Sequence, residues 1–144
     1  MNILLNLNQI NNDYIFYSEP IKNSIIENGT FTRLIYSDTN MSLNSLYIVF
    51  DERSETKITQ KEYIDLLIEF EKIILFKIDI NHKLCQYKIR DYLKYLNSKL
   101  GDDFKLYKYI LKISGIWETH DDYGITFKFL ENKLENKLEN KENE

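Results

Sequence analysis

Lysines alternate with aromatic residues over the stretch YKIRDYLKYLNSKLGDDFKLYKYILK, in which Lys105, Lys108 and Lys112 lie among phenylalanine and tyrosine residues. Proteins bind single-stranded nucleic acid with cations that follow the phosphates and with aromatic rings on which bases stack. These residue types in this order therefore indicate a nucleic-acid surface. The alternative is that lysine and tyrosine are common throughout this chain and that the aromatic residues fill a core.

Alternation along two predicted strands strengthens this hypothesis. Lys108 and Lys112 fall on the even-numbered face of the first strand, and Lys128 falls on the corresponding face of the returning strand. A turn centred on His120 places Lys112 opposite Lys128. Like charges that face each other on a sheet are destabilising unless an anion lies above them. The pattern therefore favours a surface that binds a polyanion.

Two other strands contribute candidates for the same surface. Arg33 alternates with Thr32 and Leu34 along a predicted strand and adds a cation. Tyr36 and Trp117 are candidate platforms for base stacking. For Trp117 the alternative is a core anchor at the end of the hairpin.

The charge of the chain is segregated. The formal net charge is −4, yet residues 81–112 contain eight lysine or arginine residues and three aspartates, a net charge of +5. A basic stretch within an acidic chain favours an anionic partner. Random placement of a lysine-rich surface would give the same pattern.

The residue patterns of common enzymes are missing from the sequence. Its four glycines are scattered, so no phosphate-binding loop or dinucleotide fingerprint is formed. His82 and Cys85 are three residues apart but lack a second pair of ligands. His120, Asp121 and Asp122 fill a predicted turn, where aspartate is expected in any case. We therefore expect no catalytic residue, no metal and no cofactor, and we predict that the protein is not an enzyme.

The elements that must position these residues follow the order three strands, two helices, two strands. Thr59 and Glu62 form a capping signal for the first helix, and Tyr63, Leu67, Phe70 and Ile74 recur along it at helical spacing. The second helix is expected to end at Gly101. The predicted second helix covers residues 84–100, and the strands are expected at 14–18, 30–36, 43–50, 104–118 and 125–130, with a further extended segment at 2–10.

This order predicts an α+β fold, with an OB-like curved antiparallel sheet or barrel and a helical insertion at about residues 59–100. Residues 1–130 are expected to form a single domain. Residues 131–144, ENKLENKLENKENE, form a charged repeat that we interpret as a frayed helix or a disordered tail. The single Cys85, the lack of a secretion signal and the lack of a long apolar run predict an intracellular protein without a membrane partner.

Three stretches carry a resemblance: FYSEPIKNSIIENGTFTRLIYS, LNSLYIVF and ILKISGIWETHDDYGITFKF. Together they cover somewhat under half the chain, and GIWE followed by YGITFKF is the more specific pattern. These stretches resemble a family of small proteins of nucleo-cytoplasmic large DNA viruses, the giant and algal viruses. Such viruses also encode proteins that look like phage-type single-stranded-DNA-binding proteins, which have an OB barrel, a basic groove and an acidic C-terminal tail.

The resemblance implies sequence-independent binding of single-stranded DNA during viral replication or repair, in the cytoplasm, nucleus or viral factory of an infected cell. It also implies that the tail competes with DNA or recruits replication partners. The tail departs from that pattern because it mixes lysine with glutamate and lacks a terminal aromatic residue. The alternative function is a non-enzymatic virion component or a protein–protein adaptor, in which the tail and the first helix bind protein and the basic face is only solvated.

Overall fold

A computed structural model describes residues 3–22, 29–51, 58–78, 80 and 82–133. These residues form an α+β fold with a nine-stranded mixed sheet and two helices. The elements are β1 (Leu4–Asn6), β2 (Ile15–Tyr17), β3 (Ile21–Lys22), β4 (Thr30–Ser37), β5 (Ser42–Leu43), β6 (Leu46–Val49), α1 (Gln60–Ile78), β7 (Leu84–Gln86), α2 (Lys88–Leu100), β8 (Tyr109–Glu118) and β9 (Asp122–Glu131).

The long strand β8 organises the sheet. On one side it pairs with β9 along its whole length, and on the other it pairs with β6 in its first half and with β4 in its second half. The strand β1 lies parallel to β6, while β2, β3 and β5 pair with β4 and β7 pairs with β9. Over the described residues the strand path runs from β1 to β2 without closing into a barrel.

The predicted order of strands and helices is confirmed by β2, β4, β6, the two helices and the β8–β9 hairpin. The predicted strand at 43–50 is divided, because Ser45 adopts a φ of 122° between β5 and β6. The start of the second predicted helix is wrong. Residues Leu84–Gln86 instead form β7, whose first amide donates to the carbonyl of Asp121 at 2.8 Å.

The first strand of the hairpin begins later than predicted. Residues Leu106–Lys108 form a short 3-10 turn, and β8 starts only at Tyr109. The side chain of Gln60 donates to the carbonyl of Phe104 and accepts from the amide of Leu106, at 3.0 and 2.8 Å. These backbone groups therefore bind a helix side chain rather than a neighbouring strand.

The hairpin also extends into the predicted tail. Glu131 is the last residue of β9. Asn132 is buried, and its backbone N–H donates to the carbonyl of Lys108 at 2.8 Å. The rest of the predicted tail, from residue 134, lies outside the described residues.

The two helices pack on one side of the sheet. The amide of Glu62 donates to the hydroxyl of Thr59 at 3.2 Å, which confirms the predicted cap of α1. The predicted apolar stripe of α1 is buried, as are Ile89, Leu93 and Leu96 of α2. Gly101 follows α2 with a positive φ of 56°, as the sequence predicted. Neither described helix has the combination of length and hydropathy that crossing a membrane requires.

A buried carboxylate joins the two helices. The residue before α2, Tyr87, supplies no side-chain cap. Instead, Glu71 of α1 is fully buried and accepts from the amides of Ile89 and Arg90 at 2.8 and 3.0 Å. Burial raises the pKa of Glu71 above its ordinary value, and the two amide hydrogen bonds oppose this rise. The first turn of α2 is thus capped by a residue from another helix.

Substitution of Glu71 should destabilise the fold. Glu71→Ala leaves two amides of α2 without their acceptor, which we expect to lower the free energy of unfolding by about 1–3 kcal/mol. Urea unfolding measures this loss. An unchanged midpoint would show that the cap contributes nothing to the stability of the fold.

The raised pKa of Glu71 also predicts a dependence on pH. The folded state holds the proton of Glu71 more tightly than the unfolded state, so the contribution is present below the ordinary glutamate pKa and is lost as pH rises through the raised value. Wild type should therefore lose stability relative to Glu71→Gln as pH rises through this window. Parallel curves of unfolding free energy against pH for the two proteins would contradict this assignment.

Candidate nucleic-acid interface

One side of the sheet is left uncovered by the helices. Side chains alternate between the two sides along a strand. In β9, Phe127 and Phe129 contact Tyr92 of α2, with ring centroids 6.1 and 5.3 Å apart. Lys128 therefore points to the opposite side, which we call the open face. Residues that pair directly across neighbouring strands share a side of the sheet, so Tyr47 of β6 and alternate residues of β4 and β8 also lie on the open face.

Two lysines face each other on the open face. Lys112 of β8 is the direct partner of Lys128 of β9, which confirms the pairing predicted from the sequence. On its other side Lys112 pairs with Tyr47, and its Nζ atom lies 5.6 Å from the centre of the Tyr47 ring. Tyrosine and two lysines thus form a row across three neighbouring strands.

Two further aromatic rings lie against glycines in the same sheet. Trp117 pairs with Gly124, and a Cβ atom at Gly124 would come within 2.7 Å of the indole ring. Phe31 of β4 lies over Gly115, where a Cβ atom would come within 2.9 Å of its ring. The glycines therefore let these rings rest on the sheet.

Arg33 adds a third cation to the open face. It is exposed, pairs with Gly115, and alternates with the buried residues Thr32 and Leu34. The strand residues that the structure describes place one carboxylate on this face, that of Asp122, which accepts from the Gln86 side-chain amide at 3.3 Å. The face is therefore positively charged although the chain is acidic.

The carboxylate at the end of β8 does not cancel this charge. Glu118 lies on the helix side of the sheet, where its carboxylate is 2.6 Å from the Lys83 Nζ and accepts from the Thr30 hydroxyl at 3.1 Å. The Lys83 hydrogen bond, with that of Thr30, holds the pKa of Glu118 below its ordinary value. Its charge is thus satisfied locally.

The structure does not bring Tyr36 to the open face. Its side chain is only 3% exposed, on the helix side of β4, and its hydroxyl accepts from the amide of Asn11 at 3.1 Å. A ring held in the core cannot stack on a base. We therefore leave Tyr36 out of the interface.

Lys105 and Lys108 also lie outside the strands of this face. Lys105 is exposed and precedes the 3-10 turn, while Lys108 ends that turn and is half-buried. Because β8 begins at Tyr109, the predicted alternation from Lys108 to Lys112 is wrong. The candidate interface consequently consists of Arg33, Lys112, Lys128 and Trp117, together with Phe31 and Tyr47, which the sequence analysis did not identify.

The two clusters considered for metal or acid–base chemistry remain isolated. Cys85 lies in β7, so it does not share a helix face with His82. His120 and Asp121 contact each other at 3.0 Å in the exposed hairpin turn. In the part of the chain that the structure describes, no three histidine, cysteine, aspartate or glutamate residues are placed to hold a metal ion.

In comparisons with known proteins, no protein-family model, curated protein or solved structure matches the chain. Its function must therefore be argued from the geometry of the site.

The facing lysines predict a measurable repulsion. Lys128→Gln removes one of two like charges that lie directly opposite each other, so we expect the free energy of unfolding to rise by about 0.2–1 kcal/mol at low ionic strength. The gain should shrink as salt screens the pair.

Urea unfolding at low and high salt measures this gain, and Lys105→Gln, at an exposed lysine outside the strands, is the matched control. A loss of stability in Lys128→Gln at low salt would show that the two ammonium groups do not repel each other.

Proposed function

We propose that the open face binds single-stranded DNA without sequence preference and that the protein is a binding protein rather than an enzyme. The observation that supports this most strongly is the direct pairing of Lys112 with Lys128 on a sheet face that the two described helices leave uncovered. An anion above the pair would attract both ammonium groups and offset the repulsion between them. The phosphates of a nucleic acid supply such anions at regular spacing.

The aromatic residues support a single strand as the ligand. Tyr47, Trp117 and Phe31 lie on the same face as the cations, and base–aromatic stacking contributes about 1–3 kcal/mol per base. In a duplex the bases already stack on one another, and reading them requires a helix or ribbon that enters a groove. A broad sheet face with rings suits unpaired bases better.

The absence of sequence preference follows from the chemistry of this face. Stacking tolerates every base, since each base has a π-face, and the contacts of lysine with phosphates carry no sequence information. Thr126 and Gln86 are the neutral polar side chains that the register places beside Lys128 and Trp117. Two such groups offer little for reading base edges.

We also propose that the fold is OB-like and that the protein acts in a cell infected by a large DNA virus. An OB-like arrangement is supported by the order of β2, β4 and β6, the helical insertion and the β8–β9 hairpin, to which the structure adds β1, β3, β5 and β7. The resemblance to proteins of nucleo-cytoplasmic large DNA viruses supports a role in viral replication or repair within an infected cell. In that setting the C-terminal tail would recruit viral proteins.

A second candidate function is a virion component or adaptor that binds protein through the open face. The observation that favours it is a set of exposed apolar side chains, one on each of five strands, which a protein partner could cover. These are Leu4, Phe16, Ile21, Leu84 and Leu130. Binding to an apolar partner would be insensitive to salt or strengthened by it, whereas DNA binding weakens as salt rises.

Removal of the lysine pair should weaken DNA binding. We expect the Lys112→Ala/Lys128→Ala double variant to bind a labelled single-stranded thirty-mer on the order of tenfold more weakly at low salt, because two phosphate contacts are lost. Fluorescence anisotropy measures the dissociation constant.

The Lys61→Ala/Lys94→Ala variant is the matched control, since both lysines are exposed on the helices and the change in charge is the same. Equal losses in the two variants would show that binding follows net charge alone and would contradict an interface on the open face.

The single tryptophan offers an independent readout. If bases stack on Trp117, its fluorescence should be quenched as single-stranded DNA is added, with the same dissociation constant as in the anisotropy measurement. An emission spectrum that stays unchanged while the thirty-mer binds would exclude Trp117 from the interface.

A further inference from the structure

One flank of α2 carries aromatic and basic residues that the open face does not use. Lys88, Tyr92, Tyr95 and Lys99 recur at helical spacing on the side away from the residues that line the groove with α1. Tyr92 and Tyr95 are 38% and 53% exposed, with ring centroids 6.1 Å apart. We call these four residues the tyrosine flank.

Lys99 lies against the ring of Tyr95, the more exposed of the two tyrosines. The Nζ atom of Lys99 lies 5.6 Å from the centre of the Tyr95 ring and donates to its hydroxyl at 3.3 Å. Asp91, which shares the first turn of α2 with Lys88, is paired with Arg90 at 3.3 Å. The flank therefore combines exposed rings with cations, the composition that single-stranded nucleic acid requires.

The tyrosine flank adjoins the open face around the edge of β9. Tyr92 stacks on Phe129, with ring centroids 5.3 Å apart and an interplanar angle of 25°. Lys128 precedes Phe129 and points to the other side of the sheet. Among the described strands, β7 covers β9 only over residues 122–124, so β9 is an edge strand at Lys128.

We infer that a single strand bound on the open face continues around the edge of β9 onto the tyrosine flank. In this arrangement Lys112 and Lys128 contact its first phosphates, Tyr95 and Tyr92 stack on later bases, and Lys99 and Lys88 contact later phosphates. This inference rests on the proposed function and extends its site. The distance between the open face and the tyrosine flank would then determine how long a DNA strand must be to contact both.

The dimensions of the elements set the expected length. Neighbouring strands are about 4.8 Å apart, so the row from Tyr47 to Lys128 is roughly 10 Å wide. The path around β9 to a helix packed beneath it adds about the diameter of a helix, roughly 10 Å. The open face also extends roughly 17 Å along β8 from Trp117 to Lys112, at about 3.4 Å per residue. An oligonucleotide of about five residues that stacks on Trp117 should therefore remain on the open face, whereas one of about fifteen should reach the tyrosine flank.

Oligothymidines of these two lengths test the inference. The Tyr95→Ala/Lys99→Ala variant should bind the oligomer of about fifteen residues roughly tenfold more weakly than wild type and the oligomer of about five residues equally well. Tyr95→Phe, which keeps the ring, should retain wild-type affinity for both. Because Tyr95 is exposed, thermal unfolding of each variant should match wild type and show that the fold is intact.

Three results would overturn the inference: unchanged affinity of the Tyr95→Ala/Lys99→Ala variant for the longer oligomer, equal losses for both lengths, or a loss in Tyr95→Phe as large as in the double variant. Failure of the proposed function is distinguishable, because wild type would then bind neither oligomer. Loss of short-oligomer binding in Lys112→Ala/Lys128→Ala, together with retention in Tyr95→Ala/Lys99→Ala, would support both the open face and its extension.

Discussion

The pairing register of the β8–β9 hairpin decides which side chains share the open face, and one extra residue sets that register. The shift between Ile113 and Gly115 leaves Ser114 unpaired as a bulge. If β8 and β9 paired without a bulge from Gly115 and Thr126 onward, Lys112 would lie opposite Phe129. The apolar and the charged residues of β8 that precede Gly115 would then exchange sides of the sheet. The bulge keeps Leu111 and Ile113 in the core and places Lys112 beside Lys128.

The sequence predicted the part of the site that local alternation controls. The pairing of Lys112 with Lys128, predicted from a turn centred on His120, is present in the structure. The hairpin turn itself pairs Glu118 with Tyr123, so this register is reached only through the bulge at Ser114, which the sequence analysis did not include. The same rule would have excluded Tyr36, because Arg33 and Tyr36 are three residues apart and so lie on opposite sides of a strand. It would also have found Phe31, which shares its side with Arg33.

Contacts between distant segments could not be predicted in this way. Glu71 caps a helix that begins seventeen residues later, and Gln60 holds the backbone near Phe104 that was expected to extend β8. In each contact a side chain of one element forms hydrogen bonds with backbone groups of another segment. A short sequence pattern does not indicate such a contact, because the two residues are far apart in the chain. Lys108 lies outside the predicted strand because the Gln60 contacts hold the chain before Tyr109 in another conformation. Residues Leu84–Gln86 form a strand because they pair with β9.

The proposed function requires the open face to act as a cationic surface for unpaired strands, and the salt dependence of binding tests this most directly. For wild type and a single-stranded thirty-mer, the logarithm of the association constant should fall linearly with the logarithm of salt concentration, with a slope of about −2 or steeper for three or more phosphates. The matching duplex should bind more weakly. Association that is absent at low salt, or independent of salt, would contradict the account.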